Sequence, residues 1–477
     1  MERDKENKRN VVDYQTNEES CLLPSNNRDQ TKLPRTASKR RKVLFMIACM
    51  MQQGMSMGIG FGLSVMYAEL IIVFNENRSK VALIQSIYMA LATGAGIFFT
   101  AAIKKIGPGR SMLIGGIFSC IGLFASSFSE GLTAIILCTG VIASIGMGLC
   151  YLASFISVTW MFHENAGIYL VILTLGSSLG QFIVPLLYEI FIEKYTWSGA
   201  FILMAGIALQ TVPFGVIVHC SKQYFVTGVG DKTSTMCDMS VLKDFVIWII
   251  LLNFHIAALT GNFEAWFIVD LSISRGFSRE AGSVLVSALG FANIIGRMLG
   301  GIIRFNCKSI PTVYHWVYLC LILAVGHVLI VNIFDYWGLF TICVLYGIPF
   351  GVLSSQIAAI MFETTSLDKY PQAMAISNMA LGLANIYSGQ IGGSIKDSLG
   401  EYDLAFYIAA GLSLYASLTT IVVAFFVRKR KKLQISSQTS TAVKYEHVEM
   451  KENGNVSVRV NVDQNSDVTV NLLVYVF

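Results

Sequence analysis

Arg297 stands where a charge is least expected, because every other residue from Ala281 to Ile303 is uncharged and most are apolar. A stretch of that length crosses a bilayer core of about 30 Å as a helix. A charge near its middle costs at least ~2.5–3.5 kcal/mol on insertion scales, so charges kept there usually face a bundle interior or a watery cavity and handle a ligand, ion or counter-charge. A guanidinium presents a planar fork of donors that matches a carboxylate. The chemistry open to Arg297 is therefore capture of an anionic group. The alternative is a structural arginine neutralised by a buried acid or by helix C-terminal carbonyls. His255 and His327 also lie inside apolar segments. Either is a candidate titratable relay, the alternative being a hydrogen-bonded packing histidine.

The rest of the chain offers no competing chemistry. No nucleophile–base set, phosphate-binding loop or metal-ligand pair such as CxxC occurs at workable spacing, so neither an enzyme nor a cofactor or metal is expected. Of the ten cysteines, Cys49, Cys120, Cys138, Cys150, Cys320 and Cys343 fall in apolar stretches and read as core residues. Hydrophobic residues make up 54% of the chain and charged ones only 14%, far below the ~25% of soluble domains, which places it in a lipid bilayer. The net charge of +5 gathers at membrane edges and carries no nucleic-acid signal.

Elements long enough to position Arg297 follow from the charge-free stretches. About twelve transmembrane helices are expected, at roughly 43–68, 81–103, 111–129, 132–160, 166–188, 196–218, 244–263, 281–303, 313–334, 337–361, 373–395 and 404–427. With both termini in the cytosol, inner loops and helix ends carry 19 Lys and Arg residues against 6 outside, the bias that orients membrane proteins. The hydrophilic stretch 219–243 reads as a cytosolic linker, dividing the chain into six-helix halves at 43–218 and 244–427. Residues 1–42 read as a disordered arm and 428–477 as a cytosolic tail, whose apolar end Tyr475–Phe477 suits strand addition to a groove if it is not simply a free tail. A 6+6 layout with substrate held between the halves is that of rocking-bundle transporters. The sequon Asn77-Arg78-Ser79 falls outside but close to the membrane.

Several strings in collinear order resemble the monocarboxylate transporter family of the major facilitator superfamily, over about residues 43–427. They are Ser64-Val-Met-Tyr-Ala-Glu69 with Val81-Ala-Leu-Ile84, Tyr195-Thr-Trp-Ser-Gly-Ala-Phe201, Gly290-Phe-Ala-Asn293 with Arg297, Gly347-Ile-Pro-Phe-Gly351 with Met361-Phe-Glu-Thr364, and Gly392-Gly393 with Asp397, Tyr402 and Ala405-Phe-Tyr407. The resemblance implies an all-α membrane fold of about twelve helices in two halves. It implies that Arg297 binds the substrate carboxylate, with Phe350 and Ser354 at the cavity. It further implies a plasma-membrane protein, a small organic anion or zwitterion as substrate, and a single-span immunoglobulin-type chaperone subunit as a partner. Glu363 is expected to anchor the cytosolic gate, and Glu69, which closes the first string, is grouped with it as a gate or structural acid.

Departures from the pattern bear on coupling. Proton-coupled members place a Lys eight residues before the position of Glu69, where this chain has Phe61, and an Asp four residues before the arginine, where it has Asn293. The basic pair at the start of the fifth helix is also replaced, by His163-Glu-Asn-Ala166. The expected protein is a divergent member, with carriage that is facilitative or otherwise coupled, Phe61 and Asn293 shaping the cavity, and Phe61 able to face an ammonium group. Two further readings stay open: a facilitative carrier of zwitterions such as aromatic amino acids or carnitine-like compounds, and a transport-inactive receptor or scaffold.

Overall fold

The computed structural model describes residues 37–162, 166–225, 239–306, 310–365, 370–443, 448–450, 456–460 and 468–472. Helices dominate, as they must where no water is present to satisfy backbone N–H and C=O groups. Among the described residues nine helices are long and apolar enough to cross a membrane, and the bent pair Arg78–Gly94 and Phe98–Ile106 makes a tenth. One of the nine, Ala166–Cys220, has 55 residues and as a single rod would measure about 80 Å, well over twice a bilayer core. It is two spans, joined at Thr196, whose φ of 63° and ψ of 175° no helix can hold. The less apolar Tyr370–Leu399, 30 residues long, completes the set of twelve.

In chain order, span one is Lys39–Phe74, span two the bent pair, span three Pro108–Ser126, and span four Leu132–Phe162. Spans five and six are the two arms of Ala166–Cys220, and span seven is Phe245–Ser274. Spans eight to twelve are Arg279–Asn306, Val313–Asn332, Tyr336–Thr364, Tyr370–Leu399 and the apolar part of Asp403–Val443. Local irregularities have local causes. Pro185 and Pro349 sit inside spans five and ten, where each removes a backbone donor, and residues 136–143 of span four wind as a π-helix.

Three boundaries differ from the sequence expectation. Span seven does not end at 263: after a turn at Asn262 the helix runs on from Phe263 to Ser274, taking Glu264 and Asp270 inside the bundle. A charge-free window cannot include acids whose partners sit on other helices. Span one begins at Lys39, with the Ser38 hydroxyl accepting from Arg41 N at 3.4 Å, so the last residues of the expected arm are helical. The twelfth helix continues past 427 to Val443, and Val448–Met450, Val456–Val460 and Val468–Leu472 form a three-stranded antiparallel sheet. Residues 1–36, 163–165, the linker segment 226–238 and the end 473–477 lie outside the described residues.

Two seams join spans one to six with spans seven to twelve. Along the first, spans two and eleven approach so closely at Gly94 and Gly382 that a Cβ on Gly94 would stand 2.9 Å from the Cα of Gly382. Only glycine permits that approach. Along the second, spans five and eight meet at Gly290, where a Cβ would stand 2.6 Å from the Phe182 amide nitrogen. Spans eight and ten are packed just as tightly through Gly296, Gly347 and Gly351, which brings span ten against the backbone of Arg297.

Candidate functional site

Arg297 projects from span eight at the second seam. Its Nε donates to Asn293 Oδ1 at 2.9 Å, one helical turn back, and the same oxygen accepts from the Ser178 hydroxyl of span five at 2.8 Å. Tyr151 of span four lies close enough to interact with the guanidinium electrostatically. Behind Tyr151 runs a polar chain. Gln53 of span one donates to Tyr151 O at 3.0 Å and to Ser154 Oγ at 2.6 Å, and its own oxygen accepts from Ser177 Oγ at 3.1 Å. Spans one, four, five and eight thus converge on one guanidinium. Among the described residues no carboxylate stands within 4 Å of it, and Asn293 Nδ2 and Gln181 Nε2 are buried without a partner. A half-buried cation with donors to spare and no counter-charge is the arrangement that an incoming anion completes.

The other expected cavity residues are placed less directly. Phe350 is buried and turned toward span seven, its Cδ2 lying 3.1 Å from where a Cβ on Gly261 would be, with the Tyr346 ring 6.1 Å away. Ser354 is half-buried one turn further on and donates to Phe350 O at 2.8 Å. Phe61 is buried in span one, its carbonyl accepting from Ser64 Oγ at 2.8 Å. His255 bridges spans seven and eleven: Nδ1 meets Ala380 O at 2.8 Å and the ring leans on Tyr387 at 5.4 Å. Glu363 accepts from both Thr312 N, at 2.8 Å, and Thr312 Oγ1, so the end of span ten caps the start of span nine.

Glu69 belongs to a different feature, at the end of the bundle opposite the termini. Arg279, the first residue of span eight, pairs there with Glu69 of span one and, through Nε at 2.7 Å, with Glu189 of span five. Arg78 of span two pairs with Asp270 of span seven at 2.8 Å, Tyr402 donates to Asp270 at 2.6 Å, and Tyr67 meets Tyr402 at 3.2 Å. The Asp397 carboxylate of span eleven accepts from the amides of Arg78 and Ser79, both at 2.9 Å, capping span two. All of these links but Tyr402–Asp270 cross between the two sets of six spans. In the sequence Arg78 and Arg279 counted only as loop charges; an acid of opposite sign near the end of each facing span was the available signal.

Comparison with known proteins follows the same outline. The family profile described as Major Facilitator Superfamily matches residues 44–389. Monocarboxylate transporter 4 of Mus musculus is 25% identical over 84% of this chain and 86% of its own length, and monocarboxylate transporter 6 of Mus musculus is 22% identical over 82% and 88%. Among solved structures, a mutant of the nucleoside transporter NupG superposes with a TM-score of 0.64 at 13% identity, covering 80% of this chain and 99% of that one. A bacterial homologue of the human lysosomal transporter Spinster gives 0.60 at 12% identity, covering 82% and 97%.

Proposed function

Since the chain belongs to the Major Facilitator Superfamily as a multi-pass secondary transporter resembling the monocarboxylate transporters, we propose that it carries monocarboxylates or related small organic solutes across the plasma membrane by alternating access. The observation that carries this reading is Arg297, held at a seam between the halves by Asn293 and Ser178 with no acid beside it among the described residues. The guanidinium grips the carboxylate, Asn293 and Gln181 amides are available to a second polar group of the solute, and Phe350 and Phe61 supply apolar surface. Phe61 and Asn293 replace the lysine and aspartate of proton-coupled relatives, so carriage does not use that proton pair. The termini face the cytosol and the ion-paired end faces outward, which makes this conformation closed to the outside. A single-span chaperone subunit belongs to the same reading.

The test is uptake of a labelled panel containing lactate, pyruvate, aromatic amino acids and carnitine-like zwitterions, at two external pH values, with Arg297→Gln alongside. Uptake of some member, reduced about 10- to 100-fold in Arg297→Gln, is expected, since charge-assisted hydrogen bonds contribute ~1.5–3 kcal/mol. Uptake unaffected by Arg297→Gln overturns the assignment. Surface-expressed protein that neither transports nor is thermally stabilised by any member favours a transport-inactive receptor instead.

A further inference from the structure

Among the described residues, Glu264 is the one acid that the carrier reading leaves unused and that lies fully inside the C-terminal half. Its side chain is 0% exposed, as is that of His327 on span nine, and Glu264 Oε1 lies 3.5 Å from His327 Nδ1. Among the described residues neither Glu264 oxygen, nor His327 Nδ1, has a hydrogen-bond partner in good geometry. His327 Nε2 faces the Tyr346 hydroxyl of span ten at 3.3 Å. Cys343, one turn from Tyr346, is close enough to feel Glu264 electrostatically, and apart from His327 no basic side chain faces the carboxyl from spans one, eight, nine, ten, eleven or twelve among the described residues. Asp270, further along span seven, is engaged by Arg78 and Tyr402. A buried carboxylate with no cation is not tolerated, so something must neutralise Glu264.

Its position ties it to the working parts. Span seven is interrupted at Asn262, two residues before Glu264, and the Tyr346 hydroxyl reaches the carbonyls of Thr260 and Gly261 at 3.4 Å on the near side of that turn. Interrupted helices are where transporters hold coupling ions. Asn262 donates to Asn385 of span eleven at 3.2 Å, and Asn385 reaches Thr93 of span two at 3.5 Å, beside the Gly94–Gly382 contact. Tyr346 is also one turn from Phe350, whose ring covers Gly261.

We infer that Glu264 and His327 form a proton-binding site in the C-terminal half, loaded in this conformation and reporting to the seam of spans two and eleven through Asn262 and Asn385. The bound proton is carried by the Glu264 carboxyl, 3.5 Å from His327 Nδ1, and leaves both groups neutral. Its departure leaves a carboxylate beside a neutral imidazole, and the packed surroundings offer no compensating charge. Release therefore requires water at the turn in span seven, which links it to a change of conformation. The site itself stands independently of the carrier reading; only its use in coupling rests on that reading.

The experiment is infrared difference spectroscopy of the full-length protein in lipid nanodiscs, stepped between about pH 5 and about pH 9, a range that brackets histidine chemistry. Wild type is expected to show the carbonyl stretch of a protonated carboxylic acid that disappears in Glu264→Gln and shifts in His327→Gln. Should Glu264→Gln fail to elute as a monodisperse species, the His327→Gln shift carries the assignment, because Glu264 is intact there. A band that survives Glu264→Gln, or is indifferent to His327→Gln, overturns the site. A band that responds to sodium at constant pH replaces the proton by a metal cation and overturns it also. Arg297→Gln is expected to keep the band, so failure of the substrate assignment and failure of the proton site give different results.

Discussion

The five N–H donors of Arg297 need acceptors inside a bundle, and among the described residues Asn293 Oδ1 takes only Nε. Exchanging Asn293 for Asp keeps the geometry, since the same oxygen also accepts from Ser178, but adds a permanent counter-charge four residues away on the same face. That charge competes with an anionic solute. Asn293→Asp is therefore expected to weaken apparent affinity for a carboxylate by about tenfold or more, the equivalent of ~1.5 kcal/mol, and to make uptake steeper in pH. Concentration dependence of uptake at two pH values checks both effects. Arg297→Lys is expected to behave nearer to Gln than to wild type, because an ammonium cannot bond Asn293 and a carboxylate in one plane. The Arg297–Asn293 pair was legible in the sequence as an i, i+4 relation. Ser178, Tyr151 and Gln53 were not, since uncharged polar residues on other helices leave no mark in a charge-free window.

Helix ends show the same division between what a chain reveals and what only packing reveals. The spans themselves follow from the length of apolar runs, and the broken span two, the joint at Thr196 and the turn at Asn262 do not, because each is set by neighbours. Span seven is the clearest case. Glu264 and Asp270 end its apolar run, yet the helix continues because Arg78 of span two, His327 of span nine and Tyr402 just before span twelve stand beside them. Glu363 shows an element-level role for a residue that could be mistaken for a site residue. It holds the first amide and the hydroxyl of Thr312 and so fixes the start of span nine. Glu363→Ala is expected to cost ~0.5–2 kcal/mol of stability, as loss of a helix cap does, while leaving solute affinity unchanged. Thermal unfolding of purified protein with and without a transported solute separates the two: a lowered midpoint with the same ligand-induced increment is the expected result.

For the molecule as a whole, the question is what holds one end shut. Arg279 joins spans one and five to span eight, Arg78 joins span two to span seven, and Asp397 fastens span eleven to the start of span two. These links share one property: none can persist if the halves part at that end. A ligand or mutation shifts a two-state equilibrium only by its differential interaction with the two states, and this set of contacts exists in one of them. Arg279 is partly exposed, so its two pairs contribute less than buried ones would, and about 1–2 kcal/mol for both together is a fair expectation. Arg279→Gln should then move the equilibrium about 5- to 30-fold toward the state open at this end. A distance measured between unnatural amino-acid probes at Asn77 and Glu280 reports it directly, since both are exposed on opposite sides of the closure. Glu69→Gln and Glu189→Gln should each give part of the effect, and combining either with Arg279→Gln should add little, because all three changes remove the same links. An unchanged distance distribution in Arg279→Gln would mean that the Asp270 and Asp397 contacts suffice to hold the end closed.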